Sequence, residues 1–153
     1  QKTKKMRHFA FIALTISMFM NLCACNHHDD KRPITFSELP HSSQTFVETY
    51  FSDKQVSAIF RESHGENEYE VLFSDGAQIE FTSKGDWDEV KDRDEDGVPT
   101  GFLPTAMANY VATNFPGVNI IEVNKERSKF EVELNNGVEL VFDKNGNFLR
   151  YDD

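Results

Sequence analysis

Three short stretches have the residue types and spacing to do chemistry. "DRDEDG" sets Asp92, Asp94 and Asp96 at alternate positions before Gly97. That is the opening of a calcium loop, in which alternating acids supply oxygens, glycine makes the sharp turn and a bidentate Glu closes the site at the twelfth position. Counted from Asp92, the twelfth residue is Leu103 and the eighth is Pro99. Without its main ligand the run reads as an acidic linker. His27, His28, Asp29 and Asp30 carry metal-binding donors, but in a polar stretch before Pro33 they read as a solvated tether. His41 and His64 each stand alone, and no Ser-His-Asp or Cys-His arrangement assembles around them. Paired carboxylates are plentiful, yet at alternate strand positions they form a solvated face rather than an acid–base pair. The expectation is a non-catalytic protein with no metal and no cofactor.

The third stretch is "LCAC". Lys2, Lys4, Lys5 and Arg7 precede an apolar run from Phe9 to Leu22, too short for an ordinary membrane-spanning helix and typical of a secretory signal. Leu22, Cys23, small Ala24 and Cys25 then follow in the order of a bacterial lipobox. Cleavage before Cys25 would leave its thiol to carry the lipid and remove Cys23, so no disulfide is expected. Removing residues 1–24 leaves 129 residues with 12 basic and 26 acidic side chains, a balance of −14. Such a charge repels nucleic acid, and membrane affinity must come from the acyl chains. The expected location is an exported lipoprotein facing the periplasm or the cell surface.

The elements that position these residues follow from an internal similarity. "YEVLFSDGAQIEF" (69–81) and "FEVELNNGVELVF" (130–142) match at an offset of 61, and Leu39-Pro40 matches Leu103-Pro104 at an offset of 64. The pattern predicts a tandem duplication. Leu39, Phe46, Val47, Tyr50 and Phe51 recur at helical spacing, as do Leu103, Met107, Tyr110, Val111 and Phe115. The period then changes to two. Three-residue loops ending in Gly76, Gly85, Gly137 and Gly146 keep the apolar rows of paired strands on one face, with the glycine at φ > 0. The core face then carries Tyr69, Val71, Phe73, Ile79, Phe81, Trp87, Phe130, Val132, Leu134, Leu140, Phe142 and Phe148. Further strands are predicted around 56–61 and 120–125. The fold class expected is α+β: a helix plus a four-stranded antiparallel sheet, twice, with the helices on one sheet face.

The "LP" openings, the helices ending in "YF" and "NFP", and "YEV…DG…IEF…KGDW" resemble the PepSY-like family of exported bacterial proteins, related in structure to beta-lactamase inhibitor protein. The likeness spans Leu39 to Asp153. It implies helices packed on one face of an antiparallel sheet with the other face open, and it brings no catalytic residues. The organisation expected is a lipoprotein signal peptide (1–24), a polar tether (25–38), a first PepSY-like repeat (39–90), an acidic linker (91–102) and a second repeat (103–153), the repeats forming one domain.

Strict alternation sends Glu70, Leu72, Gln78, Glu80, Asp88 and Val90 to the open face, with Glu131, Glu133, Glu139, Val141, Leu149 and Tyr151. A Tyr with aliphatic neighbours inside a charged surround has the anatomy of a protein-contact patch. Glu70, Glu80, Glu131, Glu133, Glu139, Val141, Leu149 and Tyr151 are therefore the candidate face for a protein partner with a basic surface. The expected function is binding through this face, with inhibition as one form of it. The alternative is a small-ligand carrier or enzyme with a pocket between the repeats.

Cys25→Ser should block lipid attachment and leave a soluble or unprocessed chain. Labelling with a fatty-acid analogue and fractionating the envelope checks this, and a variant still acylated and processed as usual would refute it.

Overall fold

The computed structural model describes residues 31–63 and 67–152. The signal, Cys23, Cys25, the His27–Asp30 group and His64 lie outside the described residues. The first described strand is β1 (Arg32–Pro33), followed by helix α1 (His41–Tyr50) and strands β2 (Val56–Arg61), β3 (Asn67–Phe73), β4 (Gln78–Thr82) and β5 (Trp87–Lys91). Helix α2 (Thr105–Asn114) precedes β6 (Ile120–Lys125), β7 (Lys129–Leu134), β8 (Glu139–Asp143) and β9 (Phe148–Tyr151).

All nine strands join one antiparallel sheet in chain order. This overturns the expected duplicated unit of a helix plus a four-stranded sheet: the described residues form mostly a single nine-stranded sheet with two short helices. The physical reason lies at β5. Its outer groups do not end a sheet but pair with β6, through Glu89↔Asn124, Val90↔Val123 and Lys91↔Glu122. An unpaired β5 would be an open strand edge. The polar stretch before residue 39 also joins the fold, since Arg32 and Pro33 pair with Arg61 and Phe60 and a 3₁₀ turn occupies Phe36–Glu38.

Each helix starts directly after a proline, Pro40 or Pro104, whose missing N–H costs nothing there. Val47 and Phe51 of the first helical segment, and Met107 and Val111 of the second, are buried against the core face. Phe81 meets Phe46 edge-on at 5.7 Å, and Phe142 meets Tyr110 edge-on at 5.5 Å. Phe102, inside the stretch read as an acidic linker, packs 4.8 Å from Phe46, 5.3 Å from Tyr50 and 5.0 Å from Trp87. The linker thus supplies a core aromatic as well as acids.

The four tight hairpins follow the predicted rule. Phe73 N–H donates to Ala77 C=O and Leu134 N–H to Val138 C=O, both at 2.9 Å. Thr82 and Asp143 donate likewise to Asp86 and Asn147. Gly76 and Gly137 sit at φ 95° and 81° with open space around the missing Cβ. Gly85 and Gly146 add a second constraint, because helix starts pack onto them. A Cβ at Gly146 would lie 2.6 Å from Pro104 Cβ and 2.9 Å from Met107 N.

Gly137→Ala should therefore cost about 1–2 kcal/mol from left-handed strain alone. Gly146→Ala carries the same strain plus an overpacking cost of about 1–3 kcal/mol. Urea denaturation separates the two. Equal losses would mean that α2 does not pack on the last hairpin.

Candidate functional site

The face away from the helices is crossed by two rows of side chains. One runs Leu72, Gln78, Lys91, Glu122, Glu133 and Glu139. The other runs Glu70, Glu80, Glu89, Asn124, Glu131, Val141 and Arg150. Acids stand directly opposite acids at Glu70↔Glu80, Glu80↔Glu89, Glu122↔Glu133 and Glu133↔Glu139, pairings that destabilise a sheet unless something intervenes.

Cations and one amide intervene. Gln78 Nε2 donates to Glu70 at 2.8 Å and to Glu80 at 3.1 Å. Lys31 Nζ reaches Glu70 at 3.1 Å. Lys91 pairs with Glu89 and lies 3.7 Å from Glu122. Arg93 Nη2 spans Glu122 and Glu133, each at 3.1 Å, and Lys129 pairs with Glu131.

Over β5–β8 the face hollows into a cavity of about 380 Å³, with Lys91, Arg93 and Glu122 at one side and Glu131, Glu133, Glu139 and Asp152 among its other walls. Glu122 is 8% exposed, and burial pushes its carboxyl up against the opposing pull of Lys91. Burial of Lys91 works to lower its pKa, but Glu89, Glu122 and Glu80 outweigh it and raise the ammonium. Glu139 is raised by burial and then by the charges of Glu133, Asp152 and Glu131. Among the described residues no ion pair holds its carboxylate.

Of the expected face, the register brings Glu70, Glu80, Glu131, Glu133, Glu139 and Val141 together on the open side. Val141 is buried at 1% exposure, paired across the sheet with Glu131 and Arg150. A bulge interrupts the phase at the other two. Between β8 and β9 the pairs run Phe142↔Phe148, Val141↔Arg150 and Leu140↔Tyr151, so Leu149 is an extra residue and Tyr151 lies on the helix side. There its ring is 5.3 Å from that of Phe148. Between β4 and β5 the extra residue is Asp88, and Val90 turns into the core. A bulge shifts the phase by one residue, so every later side chain changes face. Lys91, Arg93, Glu122 and Asn124 were not anticipated. Two-residue alternation along β6 could have placed Glu122 and Asn124, but Arg93 was hidden inside the apparent linker.

The aspartates of "DRDEDG" have a different role. Lys54, which follows α1, points its ammonium at three carboxylates: Asp75 Oδ2 at 2.6 Å, Asp94 Oδ2 at 2.6 Å and Asp92 Oδ2 at 2.9 Å. Asp92 is 1% exposed, and its contact with Lys54 is an ion pair rather than a well-aligned hydrogen bond. Asp94 Oδ1 accepts the N–H groups of Asp96 and Gly97 at 3.0 and 2.9 Å. Lys54 thereby ties together the end of the first helix, the β3–β4 hairpin and the loop after β5. Burial works against its charge, but the three aspartates raise its pKa well above the ordinary value. Lys54 holds Asp75 and Asp94 below the usual carboxylate range, while burial pushes Asp92 up.

Solved structures with a similar fold are known. The family described as "Putative beta-lactamase-inhibitor-like, PepSY-like" matches residues 67–150. The chain belongs to this PepSY-like family. Its fold is similar to the crystal structure of "a putative calcium-regulated periplasmic protein" from Bacteroides thetaiotaomicron, at 36% identity and a TM-score of 0.75 over 82% of this chain and 98% of that one. It is similar as well to "a putative periplasmic protein from DUF2874 family" from Bacteroides vulgatus, at 35% identity and a TM-score of 0.75 over 82% and 99%. A second B. vulgatus periplasmic protein of unknown function matches at 31% identity and a TM-score of 0.72, over 80% and 99%. No curated protein matches the chain. These relatives support an exported, periplasmic location, and none of their descriptions names a catalytic activity.

Lys54→Met tests the aspartate cluster. Asp75 and Asp94 have depressed folded values, so their contribution is present above the unfolded value of about 4 and is lost as pH falls through the folded ones. Asp92, raised by burial, acts in the opposite sense and regains stability on protonation. At pH 7 the variant should lose about 2–3 kcal/mol, less than a fully buried pair because Asp75 and Asp94 are partly solvated. The gap to the parent should narrow below about pH 4. Urea denaturation at both pH values checks the sign, and a gap that widens on acidification would refute the ion-pair account.

Proposed function

We propose that this periplasmic PepSY-like chain is a non-catalytic, lipid-anchored envelope protein that binds a protein partner through its open sheet face. The observation that carries the reading is Glu139. Its carboxylate lines a cavity beside Glu131, Glu133 and Asp152, and it is raised first by burial and then by the repulsion of those three charges. A lysine or arginine of a partner would relieve that repulsion, and complementary charge of this kind sets the choice of partner and the rate of encounter. Glu131 and Glu133 extend the acidic wall, and Glu70 and Glu80 continue it across the first half of the sheet. Anchoring through Cys25 would hold the face near the membrane. Inhibition of an exported enzyme is one form such binding could take, in keeping with the family's description. In this chain the Lys54 ammonium lies between Asp75, Asp92 and Asp94, where a calcium ion would need those carboxylates, a difference that sets it apart from the calcium regulation named for the B. thetaiotaomicron relative.

Crosslinking in the native envelope with the full chain as bait would identify the partner. Reversing Glu131 and Glu133 to Lys together should then weaken binding by tenfold or more, about 1.4 kcal/mol, in a chain that still folds although the pairs with Lys129 and Arg93 are lost. Affinity should also fall as acidification protonates Glu139. Unaltered affinity in the folded double variant would move the binding site off this face.

A further inference from the structure

β9 ends the sheet, and its outer side differs from the opposite end. At β1 the edge holds Pro33, which has no N–H to offer another strand. At β9, Asp152 N–H donates inward to Glu139 C=O at 3.0 Å. The alternation of an antiparallel ladder then turns the N–H and C=O of Tyr151 outward. Consistent with this, the Tyr151 carbonyl accepts from Arg150 Nη1 at 3.1 Å, outside the ladder. Leu149 and Tyr151 are the two exposed large hydrophobic side chains among the described residues. An edge with outward backbone groups and exposed apolar side chains is a template for another strand.

We propose that β9 pairs antiparallel with β9 of a second copy, about a two-fold axis at Tyr151. The register follows from backbone parity and charge. Only Tyr151 among residues 150–152 turns its backbone groups outward, so the axis must fall on a residue rather than between two. An axis at Arg150 sets two guanidinium groups against each other, and one at Asp152 sets two carboxylates against each other. With the axis at Tyr151, Arg150 of each copy faces Asp152 of the other and the two tyrosines stack across the axis. The outward N–H and C=O of Tyr151 then bond reciprocally. Within one chain Arg150 already pairs with Asp152, so association exchanges that pair for the same pair between copies. It also brings each Arg150 to the Asp152 end of the other copy's acidic cavity. The contact joins like surfaces on both subunits and closes on itself.

The test is a charge swap in the full chain, followed by sedimentation equilibrium in mild detergent. The parent should show a monomer–dimer equilibrium. Arg150→Asp alone gives an all-acidic edge and Asp152→Arg alone an all-basic one, and each should weaken association by about tenfold or more. Mixing the two variants in equal amounts should restore the dimer, a rescue that a misfolded chain or a lost intrachain pair cannot produce. A parent that stays monomeric, single variants that associate like the parent, or a mixture that stays monomeric would each overturn the proposal. Loss of partner binding in the Glu131 and Glu133 variant would leave this result unchanged, so the two readings fail separately.

Discussion

The ladder between β5 and β6 is the constraint on which the rest of the molecule depends. Three residue pairs join the strands that follow the first helix to those that follow the second, and at their centre Val90 and Val123 are both fully buried. On the helix side, Trp87 stacks on Phe130 at 6.0 Å and packs against Phe102, so the aromatic core runs across the seam. On the open side, Lys91 lies beside Glu122 and Arg93 reaches from Glu122 to Glu133. Neither the aromatic bridge nor the charged cavity would exist if the two strands ended separate sheets.

The acidic composition is handled in two ways. Around Lys54, three carboxylates converge on one nearly buried ammonium, and the cluster is closed by the chain's own charge. Across the open face, cations are threaded between rows of glutamates until the row reaches Glu139, where the ion pairs stop. A buried charge held by several partners is costly to break, whereas a half-solvated acid beside other acids gains by meeting a cation. This contrast separates the structural cluster from the surface that a partner would use, and it runs opposite to the sequence motif. The "DRDEDG" run looks like a ligand site and serves as a brace, while the glutamates of plain strands line the cavity.

Strict alternation predicts the faces of the tight hairpins and fails past the bulges at Asp88 and Leu149. Glu70, Glu80, Glu131, Glu133 and Glu139 lie on the open face because tight three-residue loops keep β3 with β4 and β7 with β8 in phase. Val90 and Tyr151 turn to the helix side because Asp88 and Leu149 are inserted without a partner. Nothing in "GDWDEV" or "GNFLRY" marks the extra residue, because a bulge is chosen by the twist and packing of the neighbouring strand rather than by its own side chains.

The sequence by itself determined the local elements: prolines at the helix starts, the strands around 56–61 and 120–125, and the turn positions of Gly76, Gly85, Gly137 and Gly146. Each depends on backbone preferences and apolar spacing over a few residues, so each is legible without knowing what lies opposite. Only the tertiary structure decided that the strands form one sheet, that Phe102 belongs to the core, that Lys54 meets Asp75, Asp92 and Asp94, and that Arg93 joins Glu122 to Glu133. These contacts join residues 15 to 40 positions apart, and long-range pairing is set by which edges and charges remain unsatisfied once the local elements have formed.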